Sequence, residues 1–255
     1  MNEESLMRSR IRKILMICSN YDAFALEEDG RIENQVKNEY RELNLSNPPK
    51  FIWANSSAQA RDIIGSEEDI DMIICMYNEQ DKEIFPFASR LKDEGRGIPF
   101  ILLIHYSKAV RQRVLESPHP GVDFVFSWHG NADLILAIVK LLEDAANAEN
   151  DVFEVGVKGI LLVEDSIRYY SNYLPELYKI VLTQSREFLT ESLNDDQKKY
   201  RKRSRPKIFL ATCLEEAIAY FEKYRRNLLG VISDVGMVFH KGDDPKTEKL
   251  DAGID

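Results

Sequence analysis

The chain has 255 residues, a formal net charge of −9 at pH 7, 44% hydrophobic residues and 30% charged residues. This composition excludes a disordered chain and suits two folded domains of ordinary size, while the negative charge argues against broad nucleic-acid binding. No apolar run approaches the roughly 18 residues that span a bilayer, and the N-terminus lacks a signal-peptide layout. We therefore expect a cytoplasmic protein without a membrane segment.

The cysteines and histidines indicate neither a disulfide framework nor a zinc site. Cys18, Cys75 and Cys213 are scattered in or beside apolar segments, as expected of buried, reduced thiols in a cytoplasmic protein. The four histidines have no ligand spacing with these cysteines, so no zinc site is predicted.

The first part of the chain has a regular alternating pattern of hydrophobicity. After an N-terminal extension of residues 1–12, five apolar runs alternate with polar segments of helical spacing over residues 13–144. The runs are KILMICS, KFIWANS, IDMIICMY, IPFILLIHY and VDFVFSW. Continuous apolar strands between helices predict a parallel sheet covered on both faces. We therefore predict a complete flavodoxin-like, doubly wound α/β domain over residues 13–144.

The alternation restarts after residues 145–157, AANAENDVFEVGV, which are predicted as a polar linker. The runs GILLVE, KIFLA and LLGVISD alternate with a long helical stretch that contains Pro175 and with the helical segment CLEEAIAYFEKYRR. Residues 158–255 therefore predict a second flavodoxin-like domain, truncated after its third strand. Such a domain has an open apolar sheet edge, from which we expect self-association.

Three acidic residues end two strands of this second domain. Glu164 and Asp165 follow its first strand, and Asp234 follows its third. These strands are neighbours in the flavodoxin-like order, in which ligands bind at the carboxyl ends of the strands. Carboxylate oxygens suit Mg²⁺, and the backbone carbonyl of Gly236 is a candidate fourth ligand. The alternative is structural: Asp165 or Ser166 caps the next helix, and Asp234 starts a turn.

The segments LLVEDS and VISDVGM resemble the receiver domain of bacterial response regulators, the phosphoproteins of two-component signal transduction. The resemblance implies that Glu164 and Asp165 hold Mg²⁺ and that Asp234 accepts a phosphoryl group from a sensor histidine kinase or a phosphotransfer protein. Met237 matches a methionine of the family, whereas Val238 stands where the family often has proline. The Ser or Thr and the Lys that the family places on its fourth and fifth strands have no assigned position.

The corresponding positions of the first domain lack this chemistry. They are Ser19 and Asn20 for the acid pair, Met76 for the acceptor, Ile104 for the Ser or Thr, and Ser127 or Trp128 for the Lys. Asp22 lies close to the position of the acid pair but is displaced. The resemblance therefore implies a pseudo-receiver that cannot be phosphorylated and serves binding or dimerisation. An unrelated flavodoxin-like domain is the alternative.

The function expected from this resemblance is that of a phosphorelay protein, and whether the chain is itself an enzyme stays open. One alternative is the regulatory N-terminal part of a larger phosphotransferase that uses phosphoenolpyruvate or ATP, as in phosphoenolpyruvate-synthase-like proteins. A Mg²⁺-dependent phosphohydrolase is a third possibility, but it would need a second aspartate two residues after Asp234, where this chain has Gly236.

Two further segments have a bland interpretation. The basic run Lys198–Lys207 is predicted as a solvated helix end and loop, with docking to an anionic partner as the alternative. The tyrosines of the long helical stretch are predicted to pack rather than to bind a nucleotide; they are Tyr169, Tyr170, Tyr173 and Tyr178.

Overall fold

In the computed structural model, the described residues are 6–20, 32–42, 47–66, 69–105, 114, 119–190, 204–241, 243, 247 and 249. The chain divides into two compact units, one formed by residues 11–135 and the other by residues 1–10 together with 136–255. We call them the five-strand unit and the three-strand unit after their sheets.

The five-strand unit contains a wholly parallel sheet in the order β2-β1-β3-β4-β5. Its strands are β1 (Lys13–Ile17), β2 (Lys50–Ala54), β3 (Met72–Met76), β4 (Phe100–His105) and β5 (Phe124–Trp128). Its helices are α1 (Ile32–Glu42), α2 (Ser57–Ser66), α3 (Ile84–Asp93) and the start of α4 (Ala132–Ala148). The central strand β3, MIICM, is buried at every position because its apolar side chains are covered on both faces. The predicted five-stranded flavodoxin-like fold is confirmed; the helix expected near residues 107–117 lies outside the described residues except for Val114.

The three-strand unit repeats the first half of this topology, with a parallel sheet in the order β7-β6-β8. Its strands are β6 (Gly159–Val163), β7 (Lys207–Ala211) and β8 (Leu228–Ser233). Two helices follow the first two strands, α5 (Ile167–Thr190) and α6 (Leu214–Tyr224). The apolar residues of β6 and β7 pack with those of α6 and with Met237 in one buried cluster. The predicted α/β class therefore holds for both units.

Residues 145–157 differ from the linker that the sequence predicts. Helix α4 continues to Ala148, and a π-helical segment extends it over Glu149–Glu154. Ala148 and Val152 belong to the buried cluster of the three-strand unit, and Asp151 is fully buried. The polar composition of this segment suggested solvent exposure. The segment is instead helical, and it buries Ala148, Asp151 and Val152.

The N-terminal residues also belong to the three-strand unit. Leu6 is buried, and the backbone N–H of Met7 lies 3.3 Å from both carboxylate oxygens of Asp151. The N–H of Ser9 donates to the side-chain oxygen of Asn147 over 2.9 Å, and that side chain donates back to the Ser9 carbonyl over 2.7 Å. These hydrogen bonds attach the predicted N-terminal extension to the end of α4 and to the π-helical segment that follows it.

The described end of the basic run is buried, although the sequence predicted a solvated helix end and loop. Arg205 and Lys207 are buried, and the Arg205 guanidinium binds Asp144 through two hydrogen bonds of 2.8 and 2.9 Å. The Lys207 ammonium lies 2.6 Å from Asp151, and the Tyr178 hydroxyl donates to Asp144 over 2.9 Å. Burial raises the pKa of Asp144, but Arg205 and Lys207 outweigh that effect and hold the pKa below its ordinary value. Residues 198–203 lie outside the described residues.

The four tyrosines of α5 divide between two environments. Tyr170 and Tyr178 are buried, as predicted for packing residues, whereas Tyr169 and Tyr173 are each 46% exposed and stack on one another. The packing interpretation is therefore right for the buried pair. The exposed pair lies on the solvent side of the helix.

Candidate functional site

The three acids that the sequence singles out meet at one edge of the three-strand sheet. Strands β6 and β8 are parallel neighbours, with Val163 beside Ser233, so the residues that follow them leave the sheet side by side. One carboxylate oxygen each of Glu164, Asp165 and Asp234 lies within 4.8 Å of the other two. Parallel pairing brings together acids that are about seventy positions apart in the sequence.

Glu164 is the buried member of the cluster. Its backbone N–H donates to the carbonyl of Ala211 over 3.0 Å, which extends the β6–β7 ladder, and its side-chain oxygen accepts the N–H of Ser166 over 3.0 Å. Burial raises the pKa of Glu164 to about 7; the Ser166 hydrogen bond opposes this rise, while Asp234 and Asp165 add to it. Near neutral pH this carboxyl group therefore exchanges a proton readily.

Asp165 is partly buried and faces the loop that follows β8. Its carboxylate accepts the backbone N–H of Val238 over 3.2 Å. The side chain therefore contacts a segment 73 residues away in the sequence. The helix-capping alternative does not predict this contact. An acid of the predicted metal pair is tied directly to the loop after the predicted acceptor.

Asp234 is the exposed member of the cluster. Its backbone N–H donates to the carbonyl of Val163 over 3.0 Å, so the residue is fixed at the end of the β6–β8 ladder. One of its carboxylate oxygens accepts the N–H of Val235 over 2.6 Å. This bond closes on the next residue and not two residues on as in an Asx turn, so it does not by itself identify Asp234 as a turn-forming aspartate. Exposure also makes this carboxylate the most accessible of the three.

The loop after Asp234 is anchored on the first turn of α6. The carbonyls of Val238 and Phe239 accept the backbone N–H groups of Leu214 and Glu215 over 3.0 and 3.1 Å. The Glu215 side chain in turn lies 2.9 Å from the ring of His240. These contacts fix the loop between the acid pair and a helix terminus.

Two residues near the acids complete this loop. Met237 is buried in the core of the unit, and its backbone forms an isolated antiparallel bridge with Lys249. Gly236, the predicted backbone ligand, lies partly buried beside it, two residues after Asp234. Its carbonyl stays a predicted ligand.

Among the residues that the structure describes, the equivalent edge of the five-strand unit carries no comparable group of acids. Met76 ends β3 and is buried, and Ile104, Ser127 and Trp128 are buried as well. Ser19 and Asn20 follow β1, whereas Asp22 lies outside the described residues. Within the described part of the chain, the only group of three or more potential metal ligands is that of the three-strand unit.

Two contacts at the site were not foreseen from the sequence. The N–H of Val238 reaches Asp165, and Glu215 reaches His240. The first contact could have been expected from the sequence. Val238 stands where the resemblance favours proline, and unlike proline it has an N–H to donate. The second depends on how the loop folds over α6, which residue spacing does not reveal.

Comparison with known proteins finds no matching family model, no matching curated protein and no matching solved structure. Among the helices that the structure describes, none combines the length and the apolar character needed to cross a membrane.

Proposed function

We propose that the three-strand unit is the phospho-acceptor module of a phosphorelay. In this proposal Glu164, Asp165 and Asp234, with the Gly236 carbonyl, hold Mg²⁺, and Asp234 receives the phosphoryl group. The donor is a sensor histidine kinase or a phosphotransfer protein. The observation that carries the proposal is the convergence of three carboxylates, within 4.8 Å of one another, at the carboxyl ends of two adjacent parallel strands.

The donor set fits a hard divalent cation. All three side chains offer carboxylate oxygens, which Mg²⁺ prefers, and three acids so close together repel one another unless a cation or a proton lies between them. Burial chiefly raises the pKa of Glu164 to about 7, and the charges of Asp234 and Asp165 add to that rise. Bound Mg²⁺ would neutralise charge on the phosphoryl oxygens during transfer.

The residues of this chain have distinct roles in the proposed transfer. A carboxylate oxygen of Asp234 forms a bond to the phosphorus atom while the bond from phosphorus to the donor's imidazole nitrogen breaks. The nitrogen keeps the electron pair, and the product is an acyl phosphate on Asp234. Because Asp234 is exposed and Glu164 is buried, the first suits a nucleophile that meets a large donor and the second suits a fixed ligand.

The five-strand unit has the complementary role of a pseudo-receiver that binds or positions. Met76 carries a thioether in place of a nucleophilic oxygen, and its side chain is buried. We place the protein in the cytoplasm, since Cys18, Cys75 and Cys213 are buried thiols, as expected in a reducing compartment.

Treatment with Mg²⁺ and acetyl phosphate, followed by intact-mass and peptide mass spectrometry, tests the proposal. We expect one hydroxylamine-sensitive phosphoryl group on the peptide that contains Asp234, none in residues 11–135, and none in Asp234→Asn. A matched variant, Asp243→Asn, removes a nearby acid of the same loop region outside the cluster and should label normally. Label that survives in Asp234→Asn, or a wild-type chain that takes no label from either acetyl phosphate or a phosphorylated donor protein, would refute the assignment.

A further inference from the structure

Strand β8 is the edge strand of the three-strand sheet and is open to solvent on both faces. Leu229 is 61% exposed, and Val231 and Ile232 are each 45% exposed. Parallel strands are normally buried on both faces, as β6 and β7 are in the same sheet. Within the described residues β8 pairs with β6 alone. Its sequence, LLGVIS, has none of the charged residues or prolines that protect a free edge from pairing.

We propose that β8 pairs with β8 of a second copy of this chain, antiparallel about a two-fold axis that passes at Gly230. In that register Leu229 lies opposite the partner's Val231, and Leu228 lies opposite the partner's Ile232. A two-fold pairing is self-complementary, so each apolar pair occurs twice. Leu229, Val231 and their copies then form one apolar cluster on a single face of a continuous six-stranded sheet.

The glycine at the centre and the charges at the ends agree with this register. An atom added at the Cβ position of Gly230 meets nothing within 4 Å, so the sheet face at the strand centre has room for the side chains of a partner strand. The same register places Arg226, which is exposed in the turn before β8, opposite the partner's Asp234. Each end of the paired strands therefore joins a cation of one copy to an acid of the other.

Neighbouring two-fold registers are poorer. Moving the axis to Val231 places Leu228 opposite the partner's Asp234 and Leu229 opposite the partner's Ser233. Moving the axis to Leu229 instead places Val231 opposite the partner's Asn227. Both shifts replace apolar cross-strand pairs by apolar–polar ones, which favours Gly230 as the centre and a second copy as the occupant.

Charge-swap variants test the strand, the register and the occupant together. Leu229→Lys and Val231→Glu each place two like charges in the central cluster of a homodimer, whereas a mixed dimer places one lysine opposite one glutamate. Sedimentation velocity over a dilution series should show a dimer for the wild type and an at least tenfold larger dissociation constant for each variant alone. Mixing the two variants in equal amounts should restore the dimer.

The matched control is Ile218→Lys on α6, since Ile218 is also 45% exposed but lies away from β8; it should dimerise like the wild type. Restored pairing in the mixture also shows that both variants fold. A monomeric wild-type chain would overturn the proposal, and so would a β8 strand that pairs only with a different polypeptide. Variants that dimerise alone, or that stay monomeric when mixed, would do so as well. Failure of phosphorylation at Asp234 would leave this result unaffected.

Discussion

The two units share a strand order for their first three strands but differ in what they leave exposed. Within the described residues, all eleven large apolar side chains that are exposed lie in the three-strand unit. The acid cluster lies there too. The five-strand unit adds two more strands beyond β3 and carries no comparable cluster among its described residues. The same topology thus buries its third strand in one unit, whereas in the other it leaves the third strand exposed beside the acid cluster.

The units also differ in how they use charge. The ion pairs seen in the five-strand unit lie at the surface, such as that of Lys92 and Asp123. The three-strand unit instead buries Asp144 with Arg205, and Asp151 with Lys207. The contrast leads to four predictions, from the largest expected effect to the smallest.

The largest effect should follow from Asp144→Ala. This change leaves Arg205 and Lys207 buried with too few acids, and breaking a buried ion pair from one side costs about 3–5 kcal/mol. Urea unfolding followed by hydrogen exchange of β7 should show that loss in the three-strand unit. Lys92→Ala is the control, because removing an exposed pair costs about 1 kcal/mol or less. Equal losses for both variants would contradict the distinction between buried and surface charge.

The sequence predicted much of this architecture and missed the buried charges for a physical reason. All eight strands were recognisable because each is a continuous apolar run, the pattern of buried parallel strands, although β8 itself is exposed. The acids were recognisable because they end two of those runs. Residues 145–157 and the basic run were assigned to solvent because each is polar when considered alone. Asp144 and Arg205 satisfy one another across 61 positions, and no local pattern encodes such a pair.

The second prediction concerns pH and Mg²⁺. The pKa of Glu164 is raised to about 7, above its ordinary value of 4.5, so folding favours the protonated carboxyl. The stability contributed by that proton is full below the ordinary pKa and is lost as pH rises toward 7. Mg²⁺ must displace the proton, so its affinity should rise about tenfold per pH unit below 7 and level off above it.

Calorimetry in buffers of different ionisation enthalpy measures this proton directly. Near pH 6 we expect Mg²⁺ binding to release about one proton, and Glu164→Gln to release almost none while binding more weakly. Glu33→Gln in the five-strand unit is the control and should match the wild type. A pH-independent affinity between 5.5 and 8 in the wild type would show that Glu164 is not a ligand.

A smaller effect should come from the loop that follows Asp234. The N–H of Val238 occupies one carboxylate oxygen of Asp165, and it competes there with a metal ion. Val238→Pro removes this donor, and Val238→Ala keeps it. Because a hydrogen bond contributes about 1 kcal/mol net, the proline variant should bind Mg²⁺ up to about fivefold more tightly. If both variants are folded by circular dichroism and bind Mg²⁺ with identical affinities, the hydrogen bond from Val238 to Asp165 has no effect on metal binding.

The smallest effect belongs to His240, which holds the same loop on α6. The hydrogen bond with Glu215 raises the pKa of His240 above its ordinary value of 6.5. The ion pair is therefore complete below pH 6.5 and is lost as pH rises through the raised pKa. Since both side chains are more than half exposed, we expect it to change Mg²⁺ affinity by less than about twofold. As with the proton of Glu164, the stability that this ion pair contributes is lost as the pH rises. A proton-NMR titration should find the pKa of His240 raised in the wild type and returned toward 6.5 in Glu215→Gln. A pKa unchanged by that substitution would show that the pair of His240 and Glu215 does not help to hold the loop.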